Sequence, residues 1–207
     1  MNYKWPLIND NVSQKDREVL SDFILSNQRL TNGLKVREFE DIWSKWLGTK
    51  HSVMVNSGAS GNFLSIALVK ELYGIGEVIV PPLGWVSDIS SVVQLGMTPV
   101  FVDISMDSLS ITAENIEKAI TPQTKAIVLV HCLGFNAINE KILEISKKYN
   151  LVLIEDCCEA HGATFKGQKV GSFGDISIFS FYFGHHITTI EGGMVCVNDD
   201  NANDIVR

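Results

Sequence analysis

The sequence predicts an α/β domain with a mainly parallel central sheet flanked by helices. Short runs of β-branched residues alternate with stretches long enough for helices, from Ser52 to Asp156. This alternation is typical of parallel strands that are joined by crossover helices. With 207 residues, of which 45% are hydrophobic and 20% charged, the chain can bury a sizeable core, and we expect a single domain.

Two helices are predicted before the first strand. Ser13-Gln14-Lys15-Asp16 has the pattern of a capping box, which starts a helix that runs to about Ser26. The second helix covers Lys35–Trp46, because its apolar residues recur every three or four positions, and Gly48 is its expected stop.

The strands follow from their short apolar, β-branched runs. We predict five of them in the alternating region: Ser52–Val55, Val78–Val80, Val100–Val102, Ala126–Val130 and Leu151–Ile154. The clearest intervening helices are Gly61–Leu72 and Asn139–Tyr149. After Asp156 the alternation of strands and helices stops. We predict two further strands there, Ile176–Phe181 and Met194–Val197, joined by a Gly-rich loop.

The charge balance limits the class of partner. Lys and Arg total 17 against 24 Asp and Glu, so nothing favours nucleic acid or an anionic membrane, and we expect a small-molecule ligand. No basic, apolar leader opens the sequence and no apolar run is long enough to cross a bilayer, which predicts a cytoplasmic protein. The four cysteines are then expected to be reduced core thiols.

Candidate ligand-binding residues fall where the predicted strands end, which is where open α/β sheets bind ligands. The segment Asn56-Ser57-Gly58-Ala59-Ser60-Gly61 follows the first strand and opens a helix. Backbone N–H groups at such a helix N-terminus can hold a phosphate. An ordinary strand-to-helix turn is the alternative interpretation.

Two further residues at strand ends suit a flat, cationic ring. Asp156 ends the most apolar strand, where a carboxylate needs a cation or a donor, and a protonated pyridine nitrogen would serve. A helix cap or a structural ion pair is the alternative for this aspartate. Trp85, just beyond Pro81-Pro82, could stack on a ring or belong to the core.

The segment from Phe179 to Gly193 holds two adjacent histidines, His185 and His186, between an aromatic strand and a Glu-Gly-Gly turn. Imidazole titrates near neutral pH, so a histidine at this strand end is a candidate general base. The alternative is a metal site built from the cysteines and four histidines: His131, His161, His185 and His186. Metal-binding spacings are missing from the sequence and adjacent histidines on an extended chain point apart, so we expect no metal and a packing role for His186.

In their order, these motifs resemble the DegT/DnrJ/EryC1/StrS sugar aminotransferases, which have the fold of PLP-dependent aspartate aminotransferase (fold type I). The resemblance covers nearly the whole chain and rests on seven motifs: Thr31-Asn32-Gly33, Phe39-Glu40, Asn56-Ser57-Gly58, Pro81-Pro82, Glu155-Asp156, Ser180-Phe181 and Glu191-Gly192-Gly193. It implies that residues 1–207 are most of a PLP/PMP-binding large domain. The family's smaller C-terminal domain is not in this sequence.

The resemblance also implies which residues contact the cofactor. They are Gly58, Ala59, Trp85, Asp156, Ser180 and Glu159, the last at a position that is often glutamine in the family. By this resemblance, Gly58 and Ala59 offer backbone amides to the phosphate and Ser180 adds its hydroxyl. Trp85 stacks on the ring, and Asp156 pairs with the pyridine nitrogen.

The sequence departs from most of the family at His185. Most members carry here the lysine that holds the cofactor covalently, and histidine has no primary amine for that bond. In this respect the chain is similar to the family's 3-dehydratases, and Ser180–His186 with Thr189–Gly193 looks like those that act on a GDP-linked 4-keto-6-deoxymannose. An iron–sulfur relative that acts on a CDP-linked 4-keto-6-deoxyglucose shares the double histidine.

The resemblance implies a PMP-dependent dehydration in dideoxysugar and lipopolysaccharide biosynthesis. His185 would move a proton at the cofactor while the C3 hydroxyl of a nucleotide-linked 4-keto-6-deoxy sugar leaves. L-glutamate would regenerate PMP, and the full-length protein would be a homodimer. The alternatives are the iron–sulfur type, an aminotransferase-like protein of the same family, and a non-catalytic module that binds a nucleotide sugar or a metal.

Overall fold

The computed structural model describes residues 11–207. The chain divides into two compact units, residues up to Phe39 and Glu40–Arg207. In the described part the α-helices are α1 Gln14–Leu25, α2 Leu34–Leu47, α3 Gly58–Tyr73, α4 Val86–Gln94, α5 Ala113–Ala119, α6 Glu140–Lys148 and α7 Asp200–Val206. The strands are β1 His51–Val55, β2 Glu77–Val80, β3 Thr98–Phe101, β4 Ile104–Ser105, β5 Ser110–Ile111, β6 Thr124–Val130, β7 Val152–Asp156, β8 Thr164–Phe165, β9 Gln168–Lys169, β10 Ile176–Ser180 and β11 Gly193–Val197.

Seven strands form one sheet in the order β1-β11-β10-β7-β6-β2-β3. The neighbours from β10 to β3 pair in parallel, whereas β11 pairs antiparallel with both β1 and β10. The mainly parallel sheet predicted from the sequence is therefore confirmed. Because β11 runs against its neighbours, its first residue, Gly193, lies at the edge where the parallel strands end.

The core is split between the two faces of this sheet. Along β6 the side chains alternate, so that Ala126, Val128 and Val130 belong to one apolar cluster and Ile127 and Leu129 to the other. Helices α3, α4 and α7 cover the first face, and α5 and α6 cover the second. Covering both faces explains why the central strands are apolar throughout.

The predicted helices and strands are present, with ends that differ by a few residues. The capping box at Ser13 is formed, with the Asp16 N–H donating to Ser13 Oγ and the Ser13 N–H donating to the Asp16 carboxylate. Three short helices went unpredicted: α4, α5 and α7. Residues 198–201, which follow the last strand, contain the N-cap Asp199 and the start of α7. Within residues 11–207, no helix has the length and apolar character needed to cross a bilayer.

Candidate active site

A cavity of about 580 Å³ lies at the carboxyl ends of the parallel strands, within the unit Glu40–Arg207. The turns after β1, β2, β6, β7 and β10 all contribute to its wall. The structure brings all seven candidate residues to this cavity: Gly58, Ala59, Trp85, Asp156, Glu159, Ser180 and His185. Parallel strands deliver their carboxyl ends to one edge, so residues far apart in sequence meet there.

One wall is the N-terminus of α3. Ser57 caps this helix, accepting the Ser60 N–H on its Oγ at 3.1 Å. The first N–H groups of a helix have no acceptor inside it, and here they include those of Gly58 and Ala59. A Cβ on residue 58 would lie 2.8 Å from Ser180 Cβ, so a glycine lets the helix start directly against Ser180. These groups together form a site suited to an anion.

Another part of the cavity wall is acidic and buried. Asp156 accepts the Cys158 N–H on Oδ1 at 2.9 Å and the Asn62 amide on Oδ2 at 3.1 Å. The same amide nitrogen lies 2.8 Å from Oδ1 of a second carboxylate, Asp88. Burial raises the pKa of Asp88 well above its usual range, and the negative charge of Asp156 raises it further.

Sequence analysis missed Asp88 and Asn62. Asp88 stands three residues after Trp85 and accepts its N–H on Oδ2 at 3.0 Å, which is the local pattern of a helix cap at α4. That signal could have predicted the start of α4. It could not have shown that the carboxylate lies beside Asp156.

His185 lies in the loop after β10 and lines the cavity, half-buried. Its backbone N–H donates to the Tyr182 carbonyl at 3.0 Å. Burial lowers the pKa of the imidazole, and the opposing attraction of Glu159 and Asp156 does not cancel this effect. The ring is therefore neutral at pH 7 and can accept a proton.

His186 turns toward His161 instead, with 3.3 Å between their Nδ1 atoms. The His161 ring stacks on Phe179 and Phe181, with centroids 5.7 and 5.8 Å away. Burial, with smaller contributions from the two neighbouring histidines, lowers the pKa of His161 to about 4. His161 is therefore neutral at pH 7, and the exposed His186 contacts it from the side of the solvent.

A second buried histidine belongs to the framework. His131 Nδ1 accepts the Ala137 N–H at 3.0 Å, so its Nε2 carries the proton and donates to Glu155 at 3.0 Å. Glu155 also accepts three backbone N–H groups, at 2.7 to 2.9 Å, from Gly171, Phe173 and Gly174. Within the described residues, only His131, Glu155 and Cys157 place three possible metal ligands within 4.8 Å of one another. Both the imidazole and the carboxylate are already committed to these hydrogen bonds.

The mouth of the cavity is formed in part by Trp85, which is 72% exposed. Glu159 is also exposed, and its Oε2 accepts the Leu133 N–H at 2.7 Å. Four carboxylates line the cavity: Asp88, Asp156, Glu159 and Glu191. Among residues 11–207, no lysine or arginine lines it. The cavity therefore suits a ligand that carries both a cationic group and an anion.

The fold and this site define a protein of the sugar aminotransferase type. Residues 11–207 match the DegT/DnrJ/EryC1/StrS aminotransferase family, and the chain belongs to that family.

The proteins similar to this chain include synthases of an amino sugar and sugar 3-dehydratases. The chain is 43% identical to the GDP-perosamine synthase of Caulobacter vibrioides over 82% of its length and 45% of the relative's. It is 35% identical to the GDP-4-keto-6-deoxy-D-mannose 3-dehydratase of Yersinia pseudotuberculosis, covering 98% of this chain and 52% of that one. The solved structure of the Escherichia coli GDP-4-keto-6-deoxy-D-mannose 3-dehydratase with bound hydrated PLP has a TM-score of 0.91, at 33% identity, over 98% of this chain and 53% of its own. The predicted fold type I architecture is thus confirmed.

The chain spans about half the length of the curated relatives it matches.

Proposed function

We propose that this chain is the cofactor-binding part of a PLP/PMP-dependent sugar 3-dehydratase. The reaction would remove the C3 hydroxyl from a nucleotide-linked 4-keto-6-deoxy sugar, in the biosynthesis of lipopolysaccharide dideoxysugars. One observation carries the proposal. His185 stands in the cavity beside Asp156 and the α3 N-terminus, and no lysine of the described residues lines that cavity.

The residues present fit the cofactor. The N–H groups of Gly58 and Ala59 and the Ser180 hydroxyl are donors suited to its phosphate, with the helix dipole adding to their effect. The buried Asp156 carboxylate lacks a cationic partner among the lysines and arginines described, and a protonated ring nitrogen would supply one. Trp85 offers a flat face at the mouth, and Glu159 adds a polar side chain beside it. When bound, the cofactor supplies the electron sink for the reaction.

The roles of the side chains follow from these positions. His185, neutral at pH 7, takes and returns the proton at the reacting carbon. Asp156 would keep the ring nitrogen protonated, and Trp85 would offer its face to the ring. Histidine cannot replace the covalent bond that a lysine makes, so non-covalent contacts would hold the cofactor. L-glutamate is the proposed donor that regenerates PMP, and the full-length protein is a proposed homodimer.

A second candidate is a sugar aminotransferase of the same family. It is favoured by the 43% identity to a GDP-perosamine synthase. The two candidates make different products from the same substrate and amino donor: a 3-deoxy sugar in one case and a 4-amino sugar in the other.

The test is to incubate the purified protein with PMP, L-glutamate and either GDP-4-keto-6-deoxymannose or its CDP-linked glucose counterpart, and to identify the product by mass spectrometry. We expect a 3-deoxy product. Since a positioned general base contributes about 10² to 10⁴ in rate, His185→Asn should lower kcat by about that factor. The matched control is His186→Asn, which changes the neighbouring histidine that faces His161 and should lose far less.

Three results would count against the proposal. A 4-amino sugar as the only product would establish the aminotransferase. A purified protein that retains no bound PLP or PMP, measured by absorbance after cofactor addition, would favour a non-catalytic module. In His185→Lys, the new amine should bind PLP covalently and shift its absorbance. If that shift appeared while dehydration continued at the wild-type rate, His185 would not be the base.

A further inference from the structure

Two carboxylates lie side by side in the wall of the candidate active site. Asp88 is 3% exposed and Asp156 is 5% exposed. The amide nitrogen of Asn62 bridges them, at 2.8 Å from Asp88 Oδ1 and 3.1 Å from Asp156 Oδ2. The pair is therefore a single buried unit, although its members come from different elements of the fold.

The donors around the pair are too few for two full negative charges. Each carboxylate receives one backbone N–H, from Trp85 to Asp88 and from Cys158 to Asp156. The two N–H bonds of Asn62 are shared among three acceptors, because Ser87 Oγ also lies 3.0 Å from the same nitrogen. Among the described residues, no lysine or arginine lines the cavity that could neutralise the pair. One proton on the pair supplies the missing donor and removes the repulsion.

The surroundings indicate which member holds this proton. Burial is the largest effect on Asp88 and raises the pKa of its carboxyl, with the charge of Asp156 acting in the same direction. Among the other titratable groups of the cavity wall are His185 and Glu159. The thiol of Cys158 donates to Asp156, which favours the ionised form of Asp156 and leaves the proton on Asp88, and burial raises the pKa of that thiol well above its usual range. That thiol is neutral at pH 7 and does not alter the charge of the pair.

We infer that Asp88 is a positioning residue, which as a neutral carboxylic acid donates a hydrogen bond to Asp156 and holds that carboxylate toward the cavity. The inference rests on the proposed function, in which Asp156 pairs with a ring nitrogen. A carboxylate has about four lone-pair positions. The Cys158 N–H, the Asn62 amide and the Asp88 hydroxyl occupy three of them, and at the fourth the ring N–H would compete only with the weak S–H donor of Cys158.

The first test compares Asp88→Asn and Asp88→Ala by titrating the purified protein with PMP at neutral pH. Since a hydrogen bond to a charged group is worth about tenfold in affinity or more, Asp88→Ala should raise Kd by about tenfold. Asp88→Asn keeps a neutral donor and should recover most of that loss. If Asp88→Ala binds PMP like the wild type, or Asp88→Asn is as weak as Asp88→Ala, the positioning role of a neutral Asp88 is wrong.

The second test needs no cofactor. An infrared difference spectrum of the wild-type protein minus Asp88→Asn, at neutral pH, should contain the C=O band of a protonated carboxylic acid. The control is Glu114→Gln, which removes an exposed carboxylate beside Lys118 and should not remove that band. If the wild type lacks the band, or Asp88→Asn retains it, Asp88 is not the proton-holding acid. If the band is present but the wild type binds no PMP, the proposed function fails while the one-proton pair stands.

Discussion

The pKa of His185 depends on two opposing effects, burial and neighbouring negative charge, and a single substitution can change their balance. Burial lowers its pKa, and the negative charges of Glu159 and Asp156 raise it. A base must be unprotonated to act, so the acid limb of the pH profile reports this competition directly.

We therefore predict that the acid limb of kcat/KM lies below the ordinary imidazole value of about 6.5, because the folded protein favours neutral His185. Glu159→Gln removes a charge that favours the imidazolium, so the limb should move to still lower pH. The measurement is kcat/KM between pH 5 and 8, and Glu117→Gln, at an exposed site paired with Lys148, is the control. A shift toward higher pH in Glu159→Gln would contradict this account of His185.

Asp88 gives a second prediction at this scale, in the folding equilibrium. Its pKa is raised on folding, so the folded protein binds a proton that the unfolded chain has lost. Stability from this group is complete below the unfolded pKa of about 3.9 and falls as pH rises toward the folded value. Asp88→Asn has no such titration, so its stability does not fall in this way. The Tm of Asp88→Asn minus the Tm of the wild type should therefore increase between pH 4 and 7. A constant difference in Tm over that range would show that Asp88 titrates normally.

At the scale of the element, the start of α3 combines a structural role with a proposed binding role. Ser57→Ala removes the cap and should cost about 1 kcal/mol of stability. The matched variant is Asn139→Ala, which removes the cap of α6, where Asn139 Oδ1 accepts the Ile142 N–H at 3.1 Å. Both should lower the free energy of unfolding by a similar amount in urea. Only Ser57→Ala should weaken PMP binding, and equal affinities in the two variants would argue against a phosphate site at α3.

The packing of α3 on the sheet depends on Gly61. A Cβ at this position would lie 2.7 Å from Ile178 Cγ2 of β10, which is too close for either atom to stay in place. Gly61→Ala should therefore destabilise the protein by about 1–3 kcal/mol through overpacking. In the double variant with Ile178→Ala, which removes the contacted methyl, the cost of Gly61→Ala should largely disappear. Additive losses in urea unfolding would place the strain elsewhere.

At the scale of the whole molecule, Glu155 joins three separate segments beneath the site. It is the last residue but one of β7, accepts the His131 Nε2–H from the turn after β6, and accepts three N–H groups from residues 171–174 before β10. Glu155→Gln places an N–H₂ group against these donors, and breaking a buried charged network costs about 3 kcal/mol or more. Urea unfolding should show this loss. Glu117→Gln should stay within about 0.5 kcal/mol, as is usual for exposed positions. A small effect at Glu155 would mean that the network is not needed for the fold.

Much of the site could be predicted because its signals are local. His185 stands at a fixed distance after Ser180-Phe181, and Gly58 and Ala59 directly follow a strand. The partner of Asp156 was not predictable in this way. Asn62 is 94 residues away from it in sequence, and Asp88 carries only the signal of a helix cap.

By itself, the sequence determined the alternation of strands and helices, the helix caps and the presence of a histidine at position 185. Each of these depends on residues within a few positions of one another, so the local pattern is sufficient. Only the tertiary structure decided that β11 runs antiparallel between β1 and β10, that Glu155 joins three segments and that Asp88 lies against Asp156. These contacts depend on strand order and register, which bring together groups that no local pattern relates.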